Sequence, residues 1–440
     1  MDLLEHPQAQ ALLEDAHLSA AAVQSCTDHL EAFVARYLPR FYREEQRQHA
    51  RTILRGKLTG LERKTTEPIA TQAGEKHRPL QLFVGAGGWD DQAVLSEFRQ
   101  HVREELADAD AVFILDPSGF PKQGTASCGV ARQWCGRLGK VDNCQVGVFL
   151  AYAAPRGCAL LEGRLYLTPE WAADPVRRRQ TYVPADVTFQ EKWRLGLDLL
   201  DRARATLPGR WVVGDDEMGR CTELRAELRH RRLSYVLDVP CNTLVREVSE
   251  RRPPARPGGA ARRPVFERVD QWVARQPKGR WRTVTVRDGE KGPLRVQVLL
   301  ATVQTKDEGG GVGPRERLAV LRSCAAKPQT WYTLSNAHAA RRGEVARVHG
   351  TRHRIEELFA QGNQEVGLDH YEVRSWVGWH HHMTLSLLAL WFLQLERLRL
   401  GGKNSGRDRG AGADDLHRVT AAAAAQRGGD RRRGQQRAAA

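Results

Sequence analysis

Apolar residues return every three or four positions through residues 1–80. Leu12, Leu13, Leu30, Phe33, Val34, Tyr37 and Leu38 stand among charged positions, and Pro39, Gly56 and Gly60 interrupt them. That period predicts an N-terminal helical region, fit either to bind DNA or to clamp the domain after it. From about residue 108 the pattern shortens. Residues 111–116, AVFILD, are an apolar run closed by an acid and followed by Pro117-Ser118-Gly119. This predicts a buried strand that ends at a turn and presents Asp116 there. Further strands are expected at 143–152, 163–167, 211–215 and 233–240, with helices near 185–206 and over 219–232. The strand at 211–215 also ends in an acid, Asp215. Three early strands followed by alternating helix and strand indicate an α/β sheet with one mixed edge, its first part over 81–249.

The pattern lapses at 250–264, RRPPARPGGAARRP with its neighbours, which reads as a linker. Two apolar-rich runs, RWRTVTV and LRVQVLLATVQT, then flank Asp288-Gly289 and Gly292 and predict a β-hairpin. A β-rich segment therefore fills 265–335, including the glycines at 309–311, so linker and insertion together span 250–335. Helices return at 352–364 and 382–400, in a last folded segment over 336–400. Residues 401–440 carry nine basic and four acidic residues and almost no large apolar ones. They predict a disordered basic tail. The abrupt change after Leu400 favours an out-of-frame or degenerate gene end over a DNA-binding tail.

Charge narrows the partners. The 68 basic and 53 acidic residues leave +15 and a pI near 9.8, which favours a polyanion, nucleic acid ahead of a membrane surface. Eleven of the basic residues are lysine and 57 arginine. With abundant Ala and Gly, that ratio reads partly as GC-rich coding. The eight cysteines show no CxxC and no zinc-finger spacing, so no disulfide framework is expected. The start, MDLLEHPQAQ, lacks a signal peptide's basic and apolar regions, and the longest apolar run, 383–393, is about half a membrane span. The expectation is a reduced, cytoplasmic, nucleoid-associated bacterial protein with no membrane partner.

Two strand-end aspartates point to chemistry. In α/β sheets ligands sit at the carboxyl ends of strands, so Asp116 and Asp215 can converge on one cleft. Carboxylates without His or Cys suit hard ions such as Mg²⁺ or Mn²⁺. A third acid from a helix would complete a site for a pair of ions. Without one, each aspartate is better read as capping a turn.

The stretch LDPSGFPKQGTASCGVARQWCGRLGKVDNCQVGVFLAY (115–152) resembles the core of insertion-sequence transposases of the DDE superfamily. RLYLTPEWAADPVRRR (164–179), WVVGDDEMGR (211–220), YVLDVPCNT (235–243), WYTLSNA (331–337) and RHRIEELFAQGNQEVGLDHYEVRSWVGWHHH (352–382) continue it in order. The resemblance covers about 60–400. It implies an RNase H-like mixed sheet flanked by helices and interrupted by a β-rich insertion, with the helical region in front. It also implies that Asp116 and Asp215 are the first two metal-ligating acids. Asp216 is adjacent, but with period two it points away from the cleft.

Within the superfamily, the group with a Tyr-Arg-Glu-Lys signature spaces those residues as Y-x2-R-x3-E-x6-K. Laid on this chain, the pattern meets His349, Arg352, Glu356 and Asn363, and so selects Glu356 over Glu357 as the third acid. Arg352 and Glu356 stand four apart, which places a phosphate-binding guanidinium on the glutamate's helical face. His349 in place of the tyrosine can still donate to a phosphate. Asn363 in place of the lysine cannot supply a cation, a loss worth about 1.5–3 kcal/mol of binding at a desolvated phosphate. Lys122, Arg132 and Lys140 follow the first catalytic strand and are further candidates for DNA phosphates. His380, His381 and His382 read as a packed and solvated helix start, and Trp272, Trp281 and Trp376 as packing residues ahead of base-stacking ones. Cys128, Cys135 and Cys144 read as small buried residues.

The resemblance implies a DNA transposase. Two divalent ions, Mg²⁺ with Mn²⁺ as substitute, would activate a water against the element end, and the freed 3′-hydroxyl would attack target DNA. Partners would be the terminal inverted repeats, the target duplex and a second copy on paired ends. Asn363 and the tail favour one alternative, a decayed or repurposed transposase acting only as a DNA-binding protein. A structure-specific RNase H-like nuclease is another.

Overall fold

The structure, a computed structural model, describes residues 20–248, 265–289, 292–306 and 311–399. The expectations for Leu12 and Leu13, the linker 250–264, Gly309 and Gly310, and the tail 401–440 lie outside the described residues. Five helices come first: α1 (Ala20–Tyr37), α2 (Glu44–Lys57), α3 (Thr66–Ala73), α4 (His77–Ala86) and α5 (Asp91–Leu106). Strands β1 (Val112–Pro121), β2 (Ala131–Cys135), β3 (Lys140–Ala154) and β4 (Gly157–Leu165) follow. Next are α6 (Pro169–Ala173), α7 (Pro175–Gln180), α8 (Lys192–Arg204), β5 (Trp211–Gly214), α9 (Asp216–Gly219), α10 (Thr222–His230) and β6 (Ser234–Asp238). Then come β7 (Leu244–Glu247), β8 (Glu267–Arg268), α11 (Val269–Ala274), β9 (Arg282–Gly289), β10 (Gly292–Lys306), β11 (Val312–Ser323) and β12 (Thr330–Ser335). The last are α12 (Arg342–Thr351), α13 (His353–Val366) and α14 (Trp376–Arg399).

These elements form two compact units. The first gathers residues up to Ala107, Pro117–Leu207, and those from Ile355 onward. Its centre is α14, buried at nearly every position from Trp376 to Glu396. A helix apolar all round belongs in a core, and here the N-terminal helices wrap it. Phe33 of α1 meets Phe392 at 5.2 Å between ring centroids, and the Trp89 ring stacks on His381 at 3.7 Å. The N-terminal apolar stripe is thus spent on packing, with Leu30, Phe33, Val34 and Tyr37 all buried. Strand β3 is buried on both faces from Cys144 to Ala154 and pairs with β4 across the two-residue loop Pro155-Arg156.

Three expectations change in this unit. His380, His381 and His382 are buried rather than solvated. Each ring has a backbone carbonyl for partner: Trp376 for His380, Val84 and Trp89 for His381, and Leu368 for His382. Burial holds their pKa values low. The third early strand is Gly157–Leu165, not 163–167. The chain at 117–119 does not turn. β1 runs on to Pro121, and the Lys122 amide donates to the Asn143 carbonyl at 2.9 Å. Gly119 is there for closeness, since a Cβ would come 2.7 Å from Cys135 Sγ. Cys128, Cys135 and Cys144 are buried, as expected.

The second unit holds Asp108–Asp116 and Pro208–Arg354. Its sheet is mixed and flanked by helices, the α/β architecture expected of an RNase H-like fold. The opening of β1 pairs in parallel with β5, and β5 in parallel with β6. β12 then joins β6 antiparallel and leads through β11 to β10, which carries β7 on one stretch and the β9 hairpin on another. The predicted hairpin therefore forms, and its strands are hydrogen-bonded into the same sheet as β5 and β6. Trp272 lies in an apolar cluster with Val245, Val269, Val303 and Leu334, with Trp281 packed against it. The other buried feature is ionic. Glu316, wholly buried on β11, accepts from Arg225 Nε at 3.0 Å, from the Tyr235 hydroxyl and from Thr305 Oγ1, tying β11 to α10 and β6.

Candidate active site

Three neighbouring parallel strands of the second unit carry the site. Their register aligns Leu115 with Gly214 and Gly214 with Leu237. The next residue on each strand is an aspartate: Asp116, Asp215 and Asp238. Equal register places the three acids at one level along the sheet, at the carboxyl end where strand-end ligands gather. Asp238 is the member that sequence reasoning missed. Its signal was present, because VLD at 236–238 repeats the apolar-run-then-acid pattern of FILD at 113–116 and VVGD at 212–215.

Each acid is held differently. Asp116 sits inside β1 but follows the last pair with β5. Asp215 caps α9, its Oδ1 accepting the Met218 amide at 3.0 Å. Burial lifts its pKa from the usual 3.8 to about 6; the capping amide and Arg352 oppose that shift, while Glu217 and Asp216 reinforce it. Asp216 is exposed and paired with Arg220 at 3.0 Å. Helix α9 lies hard against the end of β6, where a Cβ on Gly219 would fall 1.8 Å from the Asp238 carbonyl oxygen. Only glycine permits that approach, which sets the Asp215 turn beside the Asp238 backbone.

Asp238 is the hub of the cationic side. His349 Nε2 lies 3.0 Å from its Oδ1, and Arg352 Nε lies 3.5 Å from its Oδ2. The same guanidinium reaches Asp116 Oδ1 at 3.7 Å. Arg352 thus bridges the first strand-end acid and the third. Arg352 caps α12, its amide turned back on the His349 carbonyl three residues earlier, and α13 begins after it.

The remaining predicted residues lie in the first unit. Glu356 is exposed on the first turn of α13. Asn363 is half-buried on the same helix, and its Oδ1 accepts no hydrogen bond. Lys122 turns inward: its Nζ donates to the Tyr371 carbonyl at 3.3 Å and lies 3.5 Å from that ring's centre. Burial lowers its pKa to about 8. Arg132 and Lys140 are exposed on the β2–β3 hairpin, with Lys140 paired to Asp142 at 2.9 Å.

The oxygen donors match a hard divalent ion, and a buried carboxyl with a raised pKa is one that a nearby cation would return to its ionised form. Among the described residues, no three His, Cys, Asp or Glu side chains are gathered closely enough to hold an ion as they stand. Arg352 places positive charge between Asp116 and Asp238. No helix among the described residues is long and apolar enough to cross a membrane.

Comparison with known proteins adds two findings. A family model described as DDE superfamily endonuclease matches residues 36–293. A probable transposase for insertion sequence element IS701, from Microchaete diplosiphon, is 31% identical over 94 residues, 21% of this chain. The match spans only a quarter of that relative's length.

Proposed function

The chain belongs to the DDE superfamily of endonucleases, and from that premise we propose that it is a DNA transposase that cuts the ends of its element and joins them to target DNA. The reading is supported above all by Asp116, Asp215 and Asp238 standing in register on three parallel strands, with Arg352 between the first and the last. Asp116 and Asp215, with Glu356 from α13, would hold two divalent ions, which supply Lewis-acid activation of a water and of the leaving oxygen. The chain's own groups do the rest. Arg352 offers a planar fork that can exchange its carboxylate partners for a DNA phosphate. His349, oriented by Asp238, presents a ring beside it. Arg132 and Lys140 offer exposed cations to the duplex. A homodimer on paired inverted repeats belongs to the same proposal.

The test is strand cleavage of a labelled element end by the purified chain with Mg²⁺, Mn²⁺ or EDTA. Metal-dependent nicking should fall by about a thousandfold or more in Asp116→Ala, Asp215→Ala and Glu356→Ala, with DNA binding retained. Nicking untouched by those changes sinks the assignment. Asn363 favours a second reading, a copy that only binds DNA. Tight binding without cleavage, with nicking recovered in Asn363→Lys, would establish a copy weakened at its phosphate contact.

A further inference from the structure

A second charged site lies in the first unit, away from the strand-end acids in kind as well as in sequence. A cavity of ≈ 280 Å³ is lined by Lys57, Lys64, Thr65, Thr66, His370 and Tyr371, among others. That volume is near the lower end for small-molecule sites, enough for a phosphate and a sugar-sized attachment. Lys57 ends α2 and is 2% exposed, and Lys64 is 3% exposed. Neither ammonium is paired with a carboxylate among the described residues. Lys57 Nζ has the Val366 carbonyl at 3.4 Å, and Lys64 Nζ has the Thr59 carbonyl. Around them, Thr65 caps α3 without using its side chain on the helix, and Thr65 and Thr66 both line the cavity. His370 Nδ1 accepts a hydrogen bond from the Lys64 amide at 3.2 Å, which leaves the N–H on Nε2.

Two buried ammonium groups, a helix start and hydroxyl-bearing residues share one small cavity whose lining holds a single carboxylate, Glu372, and that one is mostly exposed and paired with Arg63. We propose that this cavity binds a phosphate group, carried either by a small molecule or by a DNA strand. Arginine is this chain's ordinary cation, 57 of 68 basic residues. Lysine at both cavity positions, and at Lys122 over the lining Tyr371, is therefore a specific choice. A compact ammonium presents a point charge to a small cavity where a guanidinium would present a broad planar fork. Burial lowers Lys57 to about 7, with repulsion from Lys64 adding to it, and lowers Lys64 to about 8, where Glu365 opposes the shift. His370 and His382 are likewise held low, and Glu372 with Arg63 stands at the rim. A bound dianion reverses these shifts, so binding should draw protons from solution.

The proposal does not depend on cleavage and is tested in EDTA. The full chain would be titrated at pH 8 with inorganic phosphate by calorimetry, in two buffers of different ionisation heat. Saturable 1:1 binding with proton uptake is expected. Lys57→Met and Lys64→Met, which keep the side-chain volume, should each weaken it at least tenfold, and exposed Lys278→Met should not. Absence of saturable binding by the native chain overturns the proposal, as does binding without proton uptake or equal affinity in native and both variant chains. The native-chain measurements stand even where a variant fails to fold. Displacement of phosphate by a 5′-phosphorylated oligonucleotide but not its 5′-hydroxyl form would assign the seat to a DNA end. Binding of a nucleoside monophosphate with no competition from DNA would assign it to a small molecule.

Discussion

The strand-end acids and the lysine cavity are opposite answers to one electrostatic problem. In the second unit, carboxylates taken partly out of water find partners within the chain: the Arg352 guanidinium for Asp116 and Asp238, and the His349 ring for Asp238. Deeper in that unit, Glu316 is wholly buried yet surrounded by Arg225, Arg229 and Tyr235. In the first unit, Lys57 and Lys64 are as buried and meet only carbonyl oxygens. The same contrast appears in the titrations. The unpaired groups, Lys57, Lys64 and the partly compensated Asp215, are pushed toward neutrality by burial. A charge with partners holds a fold together, and a charge without them waits for a ligand.

That contrast can be broken by removing one partner. Glu316→Ala leaves Arg225 buried without its carboxylate and should cost about 3–5 kcal/mol of folding stability, read from urea unfolding. A loss under 1 kcal/mol would mean the network is not structural. Lys57→Met should do the reverse. Its ammonium is depressed from 10.5 to about 7, so the native chain binds fewer protons than the unfolded one between those values, and stability rises with pH across that window. The variant should lose that slope and gain roughly 3–4 kcal/mol at neutral pH without phosphate. A variant no more stable than the parent would show the ammonium already compensated.

Asp215 bends the profile the other way. Its pKa is raised to about 6, so the native chain holds its proton longer than the unfolded one, and stability falls as pH climbs from about 4 to 6. Asp215→Asn should flatten that stretch and raise stability at pH 7 by roughly 2–3 kcal/mol, measured as Tm against pH. An unchanged slope would place the carboxyl in water. The smallest effect is at Asp238. Asp238→Asn keeps the shape but loosens His349 and Arg352, and should slow single-turnover cleavage about tenfold while sparing stability. An unaltered rate would leave Asp238 without a part in positioning them.

Much of the second unit was readable in advance. Short apolar runs located β1, β5 and β6, because a strand buried on both faces must be apolar throughout. The family spacing that the resemblance supplied named Arg352 and His349, and both lie beside Asp238. Other features misled. Pro117-Ser118-Gly119 spells a turn, but the glycine serves the packing of Cys135 against the strand. The three histidines look hydrophilic, yet each finds a main-chain partner that lets it be buried. The β2 strand went unseen because its residues alternate between half-exposed and exposed until Cys135, with no apolar stripe to mark them.

The chain's own order of residues determined its fold class, the strands that lead to Asp116 and Asp215, the hairpin beyond residue 280 and its basic character. These follow from local periodicity and composition, which act over a few neighbouring residues. Tertiary structure decided which acid is bridged to which cation, that Asp238 joins the row, and that lysines 57 and 64 share a cavity with His370. Those residues lie far apart in the chain, and a charge has no partner, and no lack of one, until the backbone brings distant segments together.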